Sequence, residues 1–449
     1  MLLFKAGERM LAIASTALLA RLLTPADFGL VAMAMALIAG VELLAAFGFD
    51  VALIRDREAG RETYDTAWTM QVITGAGCAL LLLLLTLPAV YFYREPRLML
   101  IVPALALGTF IGGFENIGTV AFRKELQFAR EFRFLMLKKL AGFAVTVPLA
   151  FAVRSYWALI AGMLASRILG VAFSYALHPY RPRWCLKDYA RLMSFSKWLL
   201  VNNFIFFLYH RMPDFIIGRL SGPRTLGLYG MAFELANMPT TEIVAPVNRA
   251  IYPGYARHGG NVRELTEVYL KVAGVLWMLA PPAAVGLWLV ADPLVRLLLG
   301  DQWLEAIPLV SILAVAASLG VVSGNQAYVY LAVGKPRIIT NLFTAQILFI
   351  FAGALLMVPL YGAMGMAYVM VANAAIALPV NMYVFIRVTG VSTTRMLNLA
   401  WRPAVACAVM ALAVLTLAPD LRGPFPSAEA TWTALLSAVA IGAASYFAA

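Results

Sequence analysis

The chain has 449 residues, of which 62% are hydrophobic and only 13% are charged, and its formal net charge is +12. Soluble domains are closer to half apolar and a quarter charged, so this composition excludes a soluble globular protein and predicts an integral membrane protein. The three cysteines and three histidines are scattered along the sequence, a distribution that predicts neither a disulfide framework nor a metal site.

Apolar stretches recur along the whole chain, and each is long enough to cross a bilayer as a helix of about 20 residues. About fourteen such helices are predicted, at residues 3–22, 28–52, 66–92, 98–121, 132–153, 156–177, 195–217, 226–250, 266–290, 305–332, 338–359, 362–386, 398–418 and 430–448. The predicted fold class is therefore an all-α integral membrane protein. The outward loops between these helices are short, which leaves no room for an extramembrane catalytic domain on that face.

An internal duplication organises the sequence. Residues 219–233 match residues 21–35 without a gap, and seven of the fifteen positions are identical at an offset of 198. The identical positions include the proline of a turn and the glycine of the helix start that follows, so the likeness extends beyond apolar composition. Two weaker pairs follow in the same order, and together they predict two homologous halves. Chance similarity between apolar helices is the alternative, but it does not account for the turn residues.

The repeats predict the domain organisation. Six helices separate the two copies, so both copies have the same orientation, as in parallel repeats related by an axis along the membrane normal. We expect an N-terminal lobe of six helices at residues 1–177, a basic inter-lobe linker at 178–194, a C-terminal lobe of six helices at 195–390, and two additional helices at 391–449.

Lysine and arginine are unevenly distributed between the two sets of loops. The N-terminus and the even-numbered loops hold 25 of the 35 basic residues, and this count assigns Lys138 and Lys139 to the loop before the fifth helix. Because basic loops stay in the cytoplasm, both termini are predicted to be cytoplasmic.

Charged and amide side chains inside the predicted spans carry the most functional information. Each charge costs about 2.5–3.5 kcal/mol on insertion scales, so each should face a cavity or a partner. Most of them lie in helices 1, 2, 7 and 8, which are equivalent in the two lobes, and they predict a polar chamber between the lobes. The alternative is that several of them snorkel to the interface or are paired locally. The candidate chamber residues are Arg9, Glu42, Asp50, Glu115, Asn116, Arg167, Asn202, Arg211, Asp214, Glu234 and Arg249.

Several segments resemble the polysaccharide transporter, or Wzx-type flippase, family. They are residues 19–30 (LARLLTPADFGL), 48–55 (GFDVALIR), 122–128 (FRKELQF) and 211–218 (RMPDFIIG) running into 226–229 (LGLY). The likeness is greatest to the colanic-acid and lipopolysaccharide exporters, and the family shares the MOP superfamily with MATE multidrug extruders and the lipid II flippase. The resemblance implies a V-shaped fold of two lobes around a cavity that opens alternately to each side of the bacterial inner membrane.

The resemblance also implies the substrate, a glycan repeat unit linked to undecaprenyl diphosphate and moved outward for surface polysaccharide biosynthesis. Arginine is the natural partner of a diphosphate because it donates bidentate, charge-assisted hydrogen bonds, but spacing does not say which arginine does so. Implied partners are the bilayer, the lipid-linked glycan, and a polysaccharide polymerase and glycosyltransferases. No nucleic-acid partner and no cofactor are expected, and coupling to H⁺ or Na⁺ through Glu42, Asp50 or Glu115 is left open.

Two other functions remain open from the sequence. A cation-coupled small-molecule extruder of the MATE type would favour an acid-rich, aromatic chamber, and Arg167 and Arg211 argue against that composition. A membrane polymerase or glycosyltransferase would need a large outward loop or an acidic catalytic pair, and the first outward loop offers only Asp27. The sequence contains no Walker A, G-x-S-x-G or H-E-x-x-H motif, so we expect no enzymatic activity.

Overall fold

The computed structural model of the chain describes residues 2–44, 48–56, 58–189, 197–241, 247, 251, 254–255, 261–418, 421 and 428–449. The side chains of residues 2–6, 8–9, 11, 44, 197–202, 322–323 and 428 lie outside this description. Within these ranges the regular secondary structure is entirely helical, which confirms the predicted fold class.

The helices follow one another with short connections. They are α1 (Leu2–Leu22), α2 (Pro25–Leu44), α3 (Phe49–Arg55), α4 (Arg61–Tyr93), α5 (Leu98–Gly112), α6 (Val120–Lys124), α7 (Phe128–Val153), α8 (Trp157–Leu177), α9 (Lys197–Pro239), α10 (Val262–Leu289), α11 (Ala291–Leu298), α12 (Ile307–Ala332), α13 (Pro336–Thr389), α14 (Thr393–Leu417) and α15 (Ala428–Ala448). Two 3₁₀ turns, Ile117–Thr119 and Asp301–Ala306, precede α6 and α12.

Nine helices of the described ranges are long and apolar enough to cross a membrane. A tenth span is formed if Leu98–Gly112 and Ile117–Lys124, which meet at an angle of 67°, cross together. The chain is therefore a multi-pass membrane protein. The predicted total of fourteen spans stays a prediction.

Two long helices are each broken once, one between two predicted spans and the other at the first residue of a predicted span. α9 is interrupted at Gly222 (φ 80°, ψ 179°) and α13 at Gly362 (φ 56°, ψ −132°). Both conformations have a positive φ, which glycine adopts without a Cβ penalty. The 54 residues of α13 would extend about 81 Å as one straight helix, far more than a bilayer, so the break divides it into two bilayer-length segments.

The duplicated turns contact each other reciprocally. A Cβ placed on Gly29 would lie 1.7 Å from the carbonyl oxygen of Pro223, and a Cβ on Gly227 would lie 1.8 Å from that of Pro25. Both pairs are related by the sequence offset of 198, so each copy presents the same two positions to the other. A two-fold axis passing between two copies of one segment produces this pattern. It supports the internal duplication that the sequence predicts.

The chain divides into two compact units, Met1–Gly227 and Leu228–Ala449. The first contains α1–α8 and most of α9, including the reciprocal glycine contact. The core of the second includes buried aromatic residues of α10, α12 and α13, among them Tyr269, Tyr330 and Phe385. The division assigns residues 197–227 to the N-terminal unit, whereas the sequence predicts that the second lobe begins at residue 195. The predicted lobe boundaries stay a prediction.

Candidate functional site

A charged cluster lies inside the helices of the first unit. Arg167 is the middle residue of the 21-residue helix α8, and one of its Nη atoms donates to Glu42 Oε1 on α2 at 3.1 Å. The Thr109 hydroxyl on α5 donates to the same carboxylate oxygen at 3.3 Å. A cation and an anion that would each be costly in a membrane span are thus paired. Sequence reasoning predicted both charged residues for the chamber, but neither their pairing nor the role of Thr109.

Glycines of α5 provide the room for the Arg167 side chain. A Cβ on Gly112 would lie 3.0 Å from an Arg167 Nη atom, and a Cβ on Gly108 would lie 3.8 Å from Arg167 Cγ. The two glycines are four residues apart and share a face of the helix, so they form a shallow groove that the arginine follows. A larger residue at Gly112 would push the guanidinium away from Glu42, whereas a Cβ at Gly108 would be in ordinary contact with the stem of Arg167.

The Arg167–Glu42 pair is not sealed within the protein. The side chain of Arg167 is 41% exposed and that of Glu42 is 37% exposed. Arginine has five N–H donors, and the hydrogen bond to Glu42 uses one nitrogen, so the exposed part of the guanidinium can meet a further anion. Such an open, charge-bearing position at the middle of a span is typical of substrate or ion pathways.

A second ion pair lies beside the first. Lys138 of α7 contacts the carboxylate of Glu115, which follows α5. The sequence count assigned Lys138 to a loop, although the predicted fifth helix at residues 132–153 includes it. α7 begins at Phe128, ten residues earlier, so Lys138 lies within the helix, as the predicted span has it. The side chains of Lys138 and Glu115 are 23% and 25% exposed.

The main chain at Glu115 is fixed by its neighbours. The side-chain amide of Gln71 on α4 donates to the carbonyls of Gly113 and Glu115, both at 3.0 Å. Asn116 is fully buried, receives a bond from Gly118 N at 2.9 Å and donates to the Tyr180 carbonyl at 2.8 Å. These contacts assign Asn116 to the turn after α5, and a contact with substrate stays a prediction for it.

Three other predicted chamber residues of the first unit form ion pairs elsewhere. Asp50 lies 3.5 Å from an Arg123 Nη atom, and the Arg123 Nε atom bonds Glu131 at 2.7 Å. Arg211 pairs with Asp214 one turn later on α9, at 3.0 Å. Neither of these pairs includes a residue of the Arg167 cluster.

Four further predicted residues complete the set. In the second unit, Glu234 is exposed on α9. Arg9 and Asn202 belong to α1 and α9, but their side chains lie outside the described residues, and Arg249 lies outside them altogether.

A polar face at the start of α4 binds the segment 178–189, which we call the strap. The Asp65 carboxylate is 6% exposed and accepts from the Tyr180 hydroxyl at 2.6 Å and from the Arg183 main-chain N–H at 2.8 Å. The Thr69 hydroxyl accepts from Cys185 N at 3.0 Å. These bonds hold an extended segment against a helix. The sequence predicted only a polar linker here.

The pKa values of two strap residues are shifted by this docking. Burial, followed by the hydrogen bond to Asp65, raises the pKa of Tyr180. Burial lowers the pKa of His178, whose Nδ1 accepts from Tyr180 N at 3.2 Å. His178 also packs against Gly118, where a Cβ would lie 2.4 Å from Nδ1. The docked strap therefore favours the neutral imidazole.

No group of three or more His, Cys, Asp or Glu residues in the described part of the chain has the arrangement of a metal site. The open cations are instead arginine and lysine, and the chemistry that the cluster offers is anion binding.

Comparisons with known proteins agree with a membrane transporter. The chain is 23% identical to the succinoglycan biosynthesis transport protein ExoT of Rhizobium meliloti, over 99% of this chain and 90% of that protein. It is 24% identical to the lipopolysaccharide biosynthesis protein WzxC of Escherichia coli, over 67% of this chain and 62% of that protein.

The fold is also found in solved structures. The lipid II flippase MurJ in an inward closed conformation matches 100% of this chain and 97% of its own, with a TM-score of 0.72 and 14% identity. An inward-facing MATE multidrug transporter of the MOP superfamily matches 85% of this chain and 95% of its own, with a TM-score of 0.62 and 16% identity. These likenesses confirm the predicted MOP-type fold.

The model of one protein family matches residues 18–308, which hold both copies of the duplicated turn and the whole Arg167 cluster. With that match over more than half of its length, the chain belongs to the family described as polysaccharide biosynthesis protein.

Proposed function

We propose that the protein is a flippase that moves undecaprenyl-diphosphate-linked oligosaccharide repeat units from the inner to the outer leaflet of the bacterial inner membrane. The polar head group passes through the protein while the lipid tail stays in the bilayer. Transport requires alternating access and no covalent step, so the proposal includes no enzymatic activity.

The observation that carries this proposal is the open guanidinium of Arg167 at the middle of α8. Its contact with Glu42 uses one nitrogen, and its side chain remains 41% exposed. A phosphate oxygen is a strong acceptor for the remaining N–H donors. A purely structural ion pair would gain nothing from this exposure, because solvent screens it and reduces its contribution to stability.

The names of the chain's relatives also support a role in polysaccharide export. ExoT is named as a transport protein of succinoglycan biosynthesis, and WzxC as a protein of lipopolysaccharide biosynthesis. Both names refer to glycans made for export. By analogy, we infer that this chain serves a surface polysaccharide pathway, next to a polymerase and glycosyltransferases that handle the same lipid-linked sugars.

The proposed orientation has both termini in the cytoplasm, as the basic loops predict. In that orientation the strap and the start of α4 lie on the cytoplasmic side, and the duplicated turns lie on the outer side. Coupling to H⁺ or Na⁺ is a separate part of the proposal and can be tested by imposing either gradient.

A leaflet assay tests the proposal. The purified protein is placed in liposomes that contain a labelled undecaprenyl-diphosphate oligosaccharide, and an external, impermeant sugar-modifying enzyme reports how much label reaches the outer leaflet. Wild type is expected to expose the inner pool, whereas Arg167→Gln should do so much more slowly. Arg133→Gln, which removes an exposed arginine of α7, is the matched control and should behave like wild type.

The result that would overturn the proposal is an inner pool that stays protected in wild type, with and without a proton or sodium gradient. A drug-accumulation assay on the same liposomes would then test the small-molecule extruder. Equal rates in Arg167→Gln and wild type would leave the flippase intact but remove Arg167 from its mechanism.

A further inference from the structure

The two ion pairs of the first unit are parts of one structure. The Ser166 hydroxyl on α8 donates to the Lys138 carbonyl on α7 at 3.0 Å. A Cβ on Gly170 would lie 2.8 Å from Lys138 Cε, so the lysine side chain runs across α8 at that glycine. Arg167 is three residues before Gly170, and residues so spaced are neighbours on a helix, with Cβ positions about 5–6 Å apart. Arg167 therefore leaves α8 about one turn from the glycine that the Lys138 side chain crosses.

The end of α5 joins the two pairs from the other side. Gly112 contacts the Arg167 guanidinium, and Glu115, three residues later, contacts Lys138. α8 and the end of α5 therefore each touch both cations. Two positive groups, each with one carboxylate partner and each partly exposed, lie in a row within the membrane-spanning part of the unit.

We propose that Arg167 and Lys138 form a two-point binding site for a diphosphate, which Glu42 and Glu115 occupy while no substrate is present. The identity of the lipid that carries the diphosphate rests on the proposed function, but the site itself does not. The planar guanidinium of the arginine donates hydrogen bonds to one phosphate, and the ammonium group of the lysine binds the other as a compact positive charge. Lys138 is a binding residue that the sequence did not predict.

The two carboxylates limit the affinity of the site for a diphosphate. With two cations and two carboxylates the empty cluster carries no formal net charge, so every cation has a partner and the site is stable without a ligand. A bound diphosphate releases both carboxylates, which are 37% and 25% exposed and can turn to water. Glu42 keeps the Thr109 hydroxyl as a donor. Exchange of one set of anions for another lowers the net affinity, and a carrier needs such a limit to release its cargo.

The two cations favour a ligand that has two phosphate groups. A single phosphate can meet only one of the two cations fully, whereas a diphosphate meets both. The site should therefore distinguish a diphosphate from the single phosphate of an ordinary anionic lipid head group.

Binding measurements on the full-length protein in phosphatidylcholine nanodiscs test the proposal. The probes are undecaprenyl diphosphate and undecaprenyl phosphate, which share one chain, and inorganic diphosphate without a lipid. Wild type should bind the lipid diphosphate at least about tenfold more tightly than the monophosphate. Arg167→Gln and Lys138→Gln should each remove most of this preference. Lys139→Gln, the same change at the next and exposed position of α7, should leave it unchanged.

The carboxylate variants give the sharper result, because misfolding cannot improve binding. Glu42→Gln and Glu115→Gln free one cation each and should tighten diphosphate binding several-fold. Weaker or unchanged binding in both would overturn the proposal, as would a wild-type protein that binds the two lipids equally. Inorganic diphosphate should show the same order of variants, since the lipid tail is not part of the site.

The outcomes separate this site from the proposed transport function. If wild type exposes the lipid-linked glycan in liposomes while Lys138→Gln does so at the same rate, the flippase stands and the two-point site fails. If diphosphate binding follows the predicted order but no glycan crosses the bilayer, the site stands and the flippase fails.

Discussion

The reciprocal glycine contact gives the most quantitative prediction. A Cβ on Gly227 would lie 1.8 Å from the Pro25 carbonyl oxygen, whereas ordinary contacts of this kind are at 3.4–4 Å. Gly227→Ala therefore forces the two main chains apart by about 1.6 Å, and neither has a flexible side chain that can yield. Overpacking of this kind costs about 1–3 kcal/mol. We expect Gly29→Ala to behave in the same way, because the contact is symmetric.

Gly230→Ala is the matched control. Gly230 lies one turn further along α9, and a Cβ there would meet nothing within 4 Å. Alanine is about 1 kcal/mol more favourable than glycine inside a helix, so this variant should equal or exceed wild type in stability. Gly227→Ala gains the same helix propensity, so the two α9 variants should differ by the overpacking cost alone, about 1–3 kcal/mol.

Thermal unfolding in detergent measures this difference with a thiol-reactive fluorescent dye. Cys78 is buried in the first unit and Cys407 in the second, so a background with Cys185→Ser and Cys407→Ala reports on the unit that holds the contact. The expected midpoint of Gly227→Ala is at least about 2 °C below that of Gly230→Ala. Equal midpoints would show that the two turns can separate at no cost, which would contradict a close main-chain contact between them.

Three further predictions concern groups outside the spans. Tyr180→Phe leaves the buried Asp65 carboxylate without its shortest donor, at a cost of about 1–3 kcal/mol, so hydrogen exchange of the strap should rise about fivefold or more; unchanged exchange would contradict the docking. Because burial lowers the pKa of His178, its neutral form stabilises the docked strap at neutral pH, and strap exchange, relative to the intrinsic amide exchange rate at each pH, should increase as the pH falls below about 6.5. His178→Gln, compared at each pH, should lack this increase. Hydrogen bonds from Arg97 lower the pKa of Glu95, so the stabilisation they give is present above about pH 4.5 and is lost as the pH falls through the lowered pKa. Glu95→Gln should therefore lose less thermal stability than wild type between pH 7 and pH 4. An equal loss in the two proteins would refute this assignment.

Features with a local physical cause could be predicted from the sequence. The cost of leaving polar main chain in lipid selects apolar helices of bilayer length. α8 lies within one residue of its predicted bounds, and α14 ends one residue before its predicted end but begins five residues earlier than predicted. The break of α9 falls between two predicted spans and that of α13 at the first residue of a predicted span, because glycine and proline mark turns. The internal duplication could be recognised from the sequence because the turn residues of its two copies coincide.

Pairing between distant helices could not be predicted in this way. The mid-span position of Arg167 indicated that it needs a partner, but Glu42 is 125 residues away in the sequence and no spacing rule connects them. Lys138 was missed because counting basic residues for orientation treats each lysine as part of a loop. Asp65 was missed because a carboxylate in the first turns of a helix is commonly exposed to solvent, whereas here the strap covers it.

The strap also has a practical consequence for truncation and expression. A fragment that stops at residue 177, where the N-terminal lobe was predicted to end, would include Asp65 and Thr69 but none of the strap groups that donate hydrogen bonds to them. It would expose to detergent, or to a chaperone, an acidic helix face whose hydrogen-bond acceptors lack their strap donors. During synthesis the same face stays uncovered until the strap, more than a hundred residues after Asp65 and Thr69, has been made. An N-terminal fragment, or a nascent chain, therefore has to include Tyr180, Arg183 and Cys185 before these hydrogen bonds can cover that surface.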